Sequence, residues 1–344
     1  MSGLPAGSFA VSLLCAAAAL LVMMAVTFGI ALKVGKHSVV DTAWGLGIAL
    51  VAVVALVSSI GHGQPARRYL LLAGAVIWGL RLAVYIGWRN HGKPEDPRYR
   101  DMLSKAKGDK NAYAFRIIYL LQALILFVAT LPIQAGMLER APAGALTIIG
   151  AAIWLGGFVF ESLGDWQLAR FKADPAHQGM IMDRGLWRYT RHPNYFGDFC
   201  MWWGLFLISV GSWIELLFVF APLLMTYILT RGTGQRMTDR RMTASRPQYA
   251  DYVARTSGFF PLPPKRTPPK RTPPKPTPPA YPAALGCRRA QPTPPQAPQP
   301  HATPRPHATP RPSTIPKDLG RSGLCGGFGA PWGTKSSTKP KSST

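Results

Sequence analysis

Apolar residues fall in long runs separated by short polar stretches, near 9–32, 39–60, 69–88, 115–133, 144–164, 199–212 and 214–230. A helix needs about 20 apolar residues to cross the hydrocarbon of a bilayer. The first five runs reach that length. The sixth is short, and Gly211-Ser212 offers a place for it to turn into the seventh as a hairpin. The pattern predicts an all-α, multi-pass transmembrane helical bundle of about seven spans over residues 1–264. Residues 1–8 carry no basic n-region, so the first run reads as a retained helix and not as a cleaved signal.

The polar positions sharpen this picture. Net charge is +24, a value that invites nucleic acid as a partner. Its distribution argues for a membrane instead. Lys33 and Lys36 follow the first run, eight Lys or Arg lie from Arg89 to Arg116, and Arg170, Lys172, Arg184, Arg188 and Arg191 lie between the fifth and sixth runs. The alternate loops hold only Arg67, Arg68 and Arg140. Basic loops stay in the cytoplasm, which puts the N-terminus outside and the C-terminus inside a bacterial-type inner membrane. The two long loops, 89–114 and 165–198, then face the cytoplasm. Loops of that length are usually functional or disordered, and these carry most of the chemistry-bearing residues.

Composition changes after Pro264. Residues 265–344 are rich in Pro, Thr, Lys and Arg, with Lys-Arg-Thr-Pro-Pro and His-Ala-Thr-Pro-Arg-Pro each occurring twice. Such a segment buries too little apolar surface to offset its ordering entropy, so it is expected to be a disordered tail. Its charge suits contact with anionic lipid. The four cysteines, Cys15, Cys200, Cys287 and Cys325, show no metal-ligand spacing and no disulfide framework.

Four constellations carry candidate chemistry. Glu161, Asp165, Leu168 and Lys172 stand at i, i+4, i+7 and i+11, on one helical face. Asp165 and Lys172 are separated by about 10 Å of helix rise, enough to engage different parts of one long ligand. Residues 183–204 read Asp-Arg-Gly-Leu-Trp-Arg-Tyr-Thr-Arg-His-Pro-Asn-Tyr-Phe-Gly-Asp-Phe-Cys-Met-Trp-Trp-Gly. Here cations crowd against a Pro-Asn helix start, where Asn194 is a good N-cap and Asp198 is expected in the first turn. Arg188, Arg191 and His192 suit phosphates; Asn194 and Asp198 suit a ribose or an amide. Asp41 and Arg81 lie inside apolar runs, where each is costly alone and the two could pair. Finally, Gln235 to Tyr252 holds Arg236, Arg240 and Arg241 with Tyr249 and Tyr252, a basic face that suits lipid headgroups.

The 185–204 string resembles the signature of bacterial membrane proteins related to the steroid 5-alpha-reductases. A shorter Arg-His-Pro-x-Tyr-x-Gly form is shared with the isoprenylcysteine carboxyl methyltransferases. The resemblance extends over residues 36–264 through Asp41-Thr-Ala-Trp-Gly45, Arg89-Asn-His-Gly-Lys-Pro-Glu-Asp-Pro-Arg-Tyr99, Phe160-Glu-Ser-Leu-Gly-Asp-Trp-Gln-Leu168 and Arg246-Pro-Gln-Tyr-Ala-Asp-Tyr252. It implies a membrane oxidoreductase that takes NADPH from the cytoplasm and reduces a conjugated carbon–carbon double bond in an apolar, lipid- or steroid-like substrate. It implies cofactor-binding roles for Asp165, Lys172, Arg188, Tyr189, Arg191, His192, Asn194, Asp198 and Arg241. The reductases often carry Arg where this chain has Lys172, and Glu where it has Asp198. Asp41, Glu161 and Tyr195 are the candidate catalytic residues, with Tyr85 and Tyr99 as weaker candidates for the group that polarises the substrate carbonyl.

Two alternatives stay open at this level. One is an S-adenosylmethionine-dependent methyltransferase of an isoprenoid or phospholipid; the single acid near Asp239, where those relatives carry a pair of Glu, counts against it. The other is a non-catalytic lipid-binding or scaffold protein. A soluble dinucleotide fold, a Walker loop, a zinc cluster and a nucleophile elbow are not expected: Gly45-Leu-Gly47 sits inside a span and lacks the third glycine.

The charge asymmetry makes a direct prediction. A cysteine placed at Thr267 should react with a membrane-impermeant thiol reagent only from the cytoplasmic side, and cysteines placed within residues 134–143 only from the outside. Labelling of the Thr267 site in intact cells would overturn the orientation.

Overall fold

The structure is a computed structural model that describes residues 4–232 and 234–265. The expected tail, 266–344, with Cys287 and Cys325, lies outside the described residues. Every regular element among them is helical. In chain order these are α1 (Ala6–Val34), α2 (Val39–Ser58), α3 (Pro65–Asn90), α4 (Pro97–Leu103), α5 (Lys110–Ala114), α6 (Leu121–Ala129), α7 (Leu131–Gly136), α8 (Ala145–Ala173), α9 (Pro193–Ser209), α10 (Trp213–Leu216), α11 (Phe220–Thr230), α12 (Gln235–Ser245) and α13 (Tyr249–Arg255). A π-helical turn, Phe115–Leu120, joins α5 to α6, so Lys110–Gly136 runs as one helical rod. The protein is a multi-pass helical membrane protein, with six helical stretches among the described residues long and apolar enough to cross a bilayer.

The sixth apolar run takes the form its length implies. α9 has 17 residues, about 25 Å of rise, and it turns into α10 through residues 210–212. Ser212 and Glu215 form a reciprocal capping box there: the Ser212 amide donates to Glu215 Oε2 at 2.8 Å. α9 begins one residue before the expected cap. His192 occupies the N-cap position and Pro193 is the first helical residue, so Asn194 lies inside the helix and Asp198 in its second turn. Proline wins this position because its fixed φ already suits a first helical turn, where a missing N–H costs nothing.

Backbone contact between helices sets the layout. α8 carries Gly150, Gly157 and Gly164 and α9 carries Gly197 and Gly204, each seven residues apart. The two helices run antiparallel with these stripes touching. A Cβ on Gly157 would lie 2.7 Å from Gly197 O, and one on Gly204 would lie 2.8 Å from Gly150 O. α2 and α3 approach in the same way where Gly45 meets Gly79 and Ala83. Inside a bilayer, where lipid tails are as apolar as leucine, such close backbone approach supplies the packing that holds helices together. The surrounding core includes Leu20, Ile48, Leu71, Trp78, Leu126 and Met201, all buried. Trp78 and Trp202 meet edge-to-face with centroids 5.0 Å apart.

The loops gather at two ends. At one end Arg67, almost fully buried, donates to Ala141 O at 2.7 Å, Ile208 O at 3.0 Å and Pro142 O at 3.2 Å. Those bonds tie the start of α3 to the α7–α8 connection and to the last turn of α9. The other end holds residues 91–109, 174–192 and 231–265, and with them the motif residues.

The glycine stripe is directly testable. Gly197→Ala should cost about 1–3 kcal/mol of stability by overpacking, because its Cβ would lie 2.6 Å from Glu161 N and Glu161 Cβ. Gly156→Ala is the matched control, since its Cβ meets nothing within 4 Å. Thermal unfolding of the purified variants in detergent compares them; equal midpoints would contradict the close approach.

Candidate functional site

The helical face read from the sequence forms, and it faces α3. Trp78, Arg81, Tyr85 and Arg89 follow one another along α3 at i, i+3, i+7 and i+11, opposite Glu161, Asp165 and Lys172 on α8. Arg81 is the bridge: its Nη1 lies 2.7 Å from Glu161 Oε1 and its Nη2 lies 2.7 Å from Asp165 Oδ2. Trp78 Nε1 donates to the second Glu161 oxygen at 3.0 Å, so both oxygens of Glu161 are engaged. The two carboxylate side chains are only 6% and 4% exposed. Tyr85 OH donates to the Asp165 carbonyl at 3.4 Å, and the Arg81 guanidinium stands 5.2 Å from the Tyr85 ring centre. Asp198 reaches this cluster from α9, because the stripe sets Gly197 against Glu161; its charge interacts with those of Glu161, Asp165 and Arg81. Two carboxylates thus share one guanidinium, and a third lies within reach of its charge.

This corrects one expectation. Arg81 does not pair with Asp41. Asp41 sits on α2 in a separate knot, accepting from Tyr99 OH at 2.5 Å and pairing with Arg98 Nη2 at 2.8 Å. Burial, then the Asp41 carboxylate, push the Tyr99 phenol far above its ordinary range. Arg98 also pairs with Asp96 at 3.0 Å. Burial alone would raise the Asp96 carboxyl, but hydrogen bonds from Arg98 outweigh it and hold it below the usual range. Glu95 accepts from the His37 and Ser38 amides at the start of α2. The 91–109 segment is therefore strapped to α2, and Asp41 is an anchor of that strap.

Above the acidic floor lies a cationic rim. The charges of Arg89, Lys93 and Arg246 all act on Lys172, two helical turns beyond Asp165. Burial, then Arg89, hold the Lys93 ammonium below its ordinary range. Arg246 is placed by its bond to Met180 O at 2.8 Å. Arg89 acts on Asp165 and also on Asp41, so the strap and the floor adjoin.

The Arg-His-Pro string builds a different feature. Arg191 Nη2 and His192 Nε2 lie 2.9 Å and 3.0 Å from the two oxygens of Asp239, and Tyr249 OH donates to Asp239 at 2.6 Å. Arg191 also donates to Thr256 O at 2.6 Å. Burial and Asp239 hold the Tyr249 phenol far above its ordinary range. Arg191 and His192, expected to meet phosphates, are thus committed to fastening α12 and α13 onto the start of α9. The Tyr195 ring stacks on His192 with centroids 5.2 Å apart, and its hydroxyl lies 3.5 Å from Thr238 Oγ1. Arg188 and Tyr189 are exposed. Arg241 turns to the strap, 3.5 Å from Asp101 and 3.9 Å from Asp96. Asn194 lies beside Gly164, where the first turn of α9 packs on α8.

Trp78, Arg89, Lys93, Arg246 and Asp239 were not singled out as site residues from the sequence. For Trp78 and Arg89 a signal existed: with Arg81 and Tyr85 they share the spacing that revealed the α8 face.

Residues 27–256, which hold every group named above, match the model of a family described as "Protein of unknown function (DUF1295)". The chain belongs to the DUF1295 family. This DUF1295 protein is 25% identical over 263 residues to a protein of the fission yeast Schizosaccharomyces pombe named "Uncharacterized protein C594.04c". The match spans 69% of this chain and 76% of the yeast protein. No solved structure matches it significantly.

The shared guanidinium predicts a large effect. Arg81→Met should lower stability by about 3–5 kcal/mol, because it leaves two buried carboxylates without their counter-charge. Adding Glu161→Gln to Arg81→Met should restore part of the loss. Unfolding midpoints of the single and double variants measure this, and a single variant as stable as the native chain would contradict the pairing.

Proposed function

We propose that this DUF1295 protein is an integral membrane reductase that uses NADPH to saturate a conjugated carbon–carbon double bond in a lipid- or steroid-like substrate. One observation carries the reading: the site has two chemically opposite ends on one α3–α8 face. The floor offers carboxylate acceptors, Asp165, which Arg81 holds, and Asp198, which α9 brings beside it. The rim offers crowded cations, Arg89, Lys93, Lys172 and Arg246. A dinucleotide presents the complement, with amide and hydroxyl donors at its nicotinamide end and phosphates further along. The donor set therefore fits NADPH. The association of DUF1295 with steroid 5-alpha-reductase-like proteins supports the same reading.

In this proposal Lys172, Arg89 and Arg246 bind phosphate, where charge-assisted hydrogen bonds are strongest. Asp165, Asp198 and Asn194 orient the amide and ribose end. Glu161, with both oxygens engaged, is a positioning residue that fixes Arg81. Bound NADPH supplies the hydride. The chain's own contribution is to fix the cofactor's orientation and to exclude water from it. An apolar substrate enters from the bilayer side of the bundle. S-adenosylmethionine fits less well, because it carries one carboxylate and no phosphate to set against the cationic rim.

Binding to the purified full-length protein tests this. NADPH should bind more tightly than S-adenosylmethionine. Lys172→Ala should weaken NADPH by about 1.5–3 kcal/mol, the loss of one charged hydrogen bond, with the unfolding midpoint unchanged. Tight S-adenosylmethionine binding without NADPH binding would reject the reductase in favour of the methyltransferase.

A further inference from the structure

A second basic feature lies on the other side of α12, and the proposed cofactor site makes no use of it. A groove of about 700 Å³ opens where α11 ends and α12 begins. Arg231, Arg236 and Arg240 line it, with Thr230 and Thr243 beside them. All three arginines are exposed. Among the described residues their guanidinium groups have no acidic or carbonyl partner. Asp239 also borders the groove, but Arg191, His192 and Tyr249 already occupy its oxygens. Three cations therefore line one concavity whose one acidic neighbour among the described residues, Asp239, is already engaged.

What lies below the groove identifies the occupant. Phe220, Leu223 and Tyr227 are exposed on α11. They stand at i, i+3 and i+7, and Arg231 follows Tyr227 by four residues on the same face. In a bilayer this face is an apolar track for acyl chains, and its upper end is the cationic groove. Arg236, Arg240 and Thr243, at i, i+4 and i+7 on α12, complete the head of the track. A soluble phosphate would use the arginines and leave the track unexplained. A bilayer phospholipid with net negative charge uses both.

We propose that the α11–α12 groove binds the headgroup of an acidic bilayer phospholipid, with its acyl chains laid along Phe220, Leu223 and Tyr227. The three arginines contact the phosphate; Thr230 and Thr243 border it, their hydroxyl protons being donated to Thr226 O and Asp239 O. Because α12 also carries Asp239, the fastener for α13 and α9, the bound lipid braces the helix that closes the loop-rich end. None of these arginines is assigned to the cofactor, so the inference stands or falls apart from the reductase reading.

The test uses the full-length chain in phosphatidylcholine nanodiscs with a trace of phosphatidylglycerol that bears a photoreactive acyl chain. Photolabel should map to Phe220, Leu223 or Tyr227. Unlabelled phosphatidylglycerol should compete, and added phosphatidylcholine should not. The triple variant Arg231→Gln, Arg236→Gln, Arg240→Gln should lose about tenfold of this labelling, given what each basic residue contributes near an anionic surface. Lys105→Gln, Lys107→Gln, Lys110→Gln removes the same charge elsewhere and should leave labelling unchanged. The competition series on the native chain decides the question even if the arginine variant fails to fold. Equal labelling by a phosphatidylcholine probe, or equal loss in the lysine control, would overturn the proposal. Competition by inorganic phosphate or free NADPH at micromolar concentration would reassign the groove to a soluble phosphate and overturn it as well.

Discussion

Contact between the backbones of α8 and α9 is the constraint on which the rest of this molecule depends. Side chains cannot separate the two helices where Gly150 meets Gly204 and Gly157 meets Gly197. That approach brings Asp198 against Glu161 and Asp165 inside the apolar slab, where unpaired charge is expensive. Arg81 then becomes obligatory, because it is the cation that α3 delivers between two of these carboxylates. Trp78 completes the arrangement by donating to Glu161 and by packing on Trp202 of α9. Three helices are thus locked together by polar groups that none of them could bury alone.

The loop-rich end is built on the same logic with weaker burial. The 91–109 segment reaches α2 through Glu95, Arg98 and Tyr99, and each bond satisfies a group that would otherwise be stranded at the membrane surface. The α12–α13 segment reaches α9 through Asp239, which gathers Arg191, His192 and Tyr249. Buried polar networks of this kind rigidify a structure when fully satisfied. The floor of carboxylates adjoins the first of these segments through Arg89, whose charge acts on both Asp41 and Asp165.

The sequence alone determined the all-helical membrane class, because apolar runs of bilayer length have one viable conformation in lipid. It also determined the α8 face, since residues spaced by multiples of a helical turn share a side whatever surrounds them. The short sixth run and its turn at Gly211-Ser212 were legible for the same local reason. Only the tertiary structure decided partners. Asp41 and Arg81 both lay in apolar spans and looked equally in need of each other, but the choice depended on which helices touch, and Arg98 and Tyr99 from a distant loop claimed Asp41. The Arg-His-Pro string advertised cations without saying that Asp239, 47 residues beyond His192, would neutralise them. Helix start and helix face follow from bonds between near neighbours in the chain. Charge pairing follows from long-range packing, which periodicity does not encode.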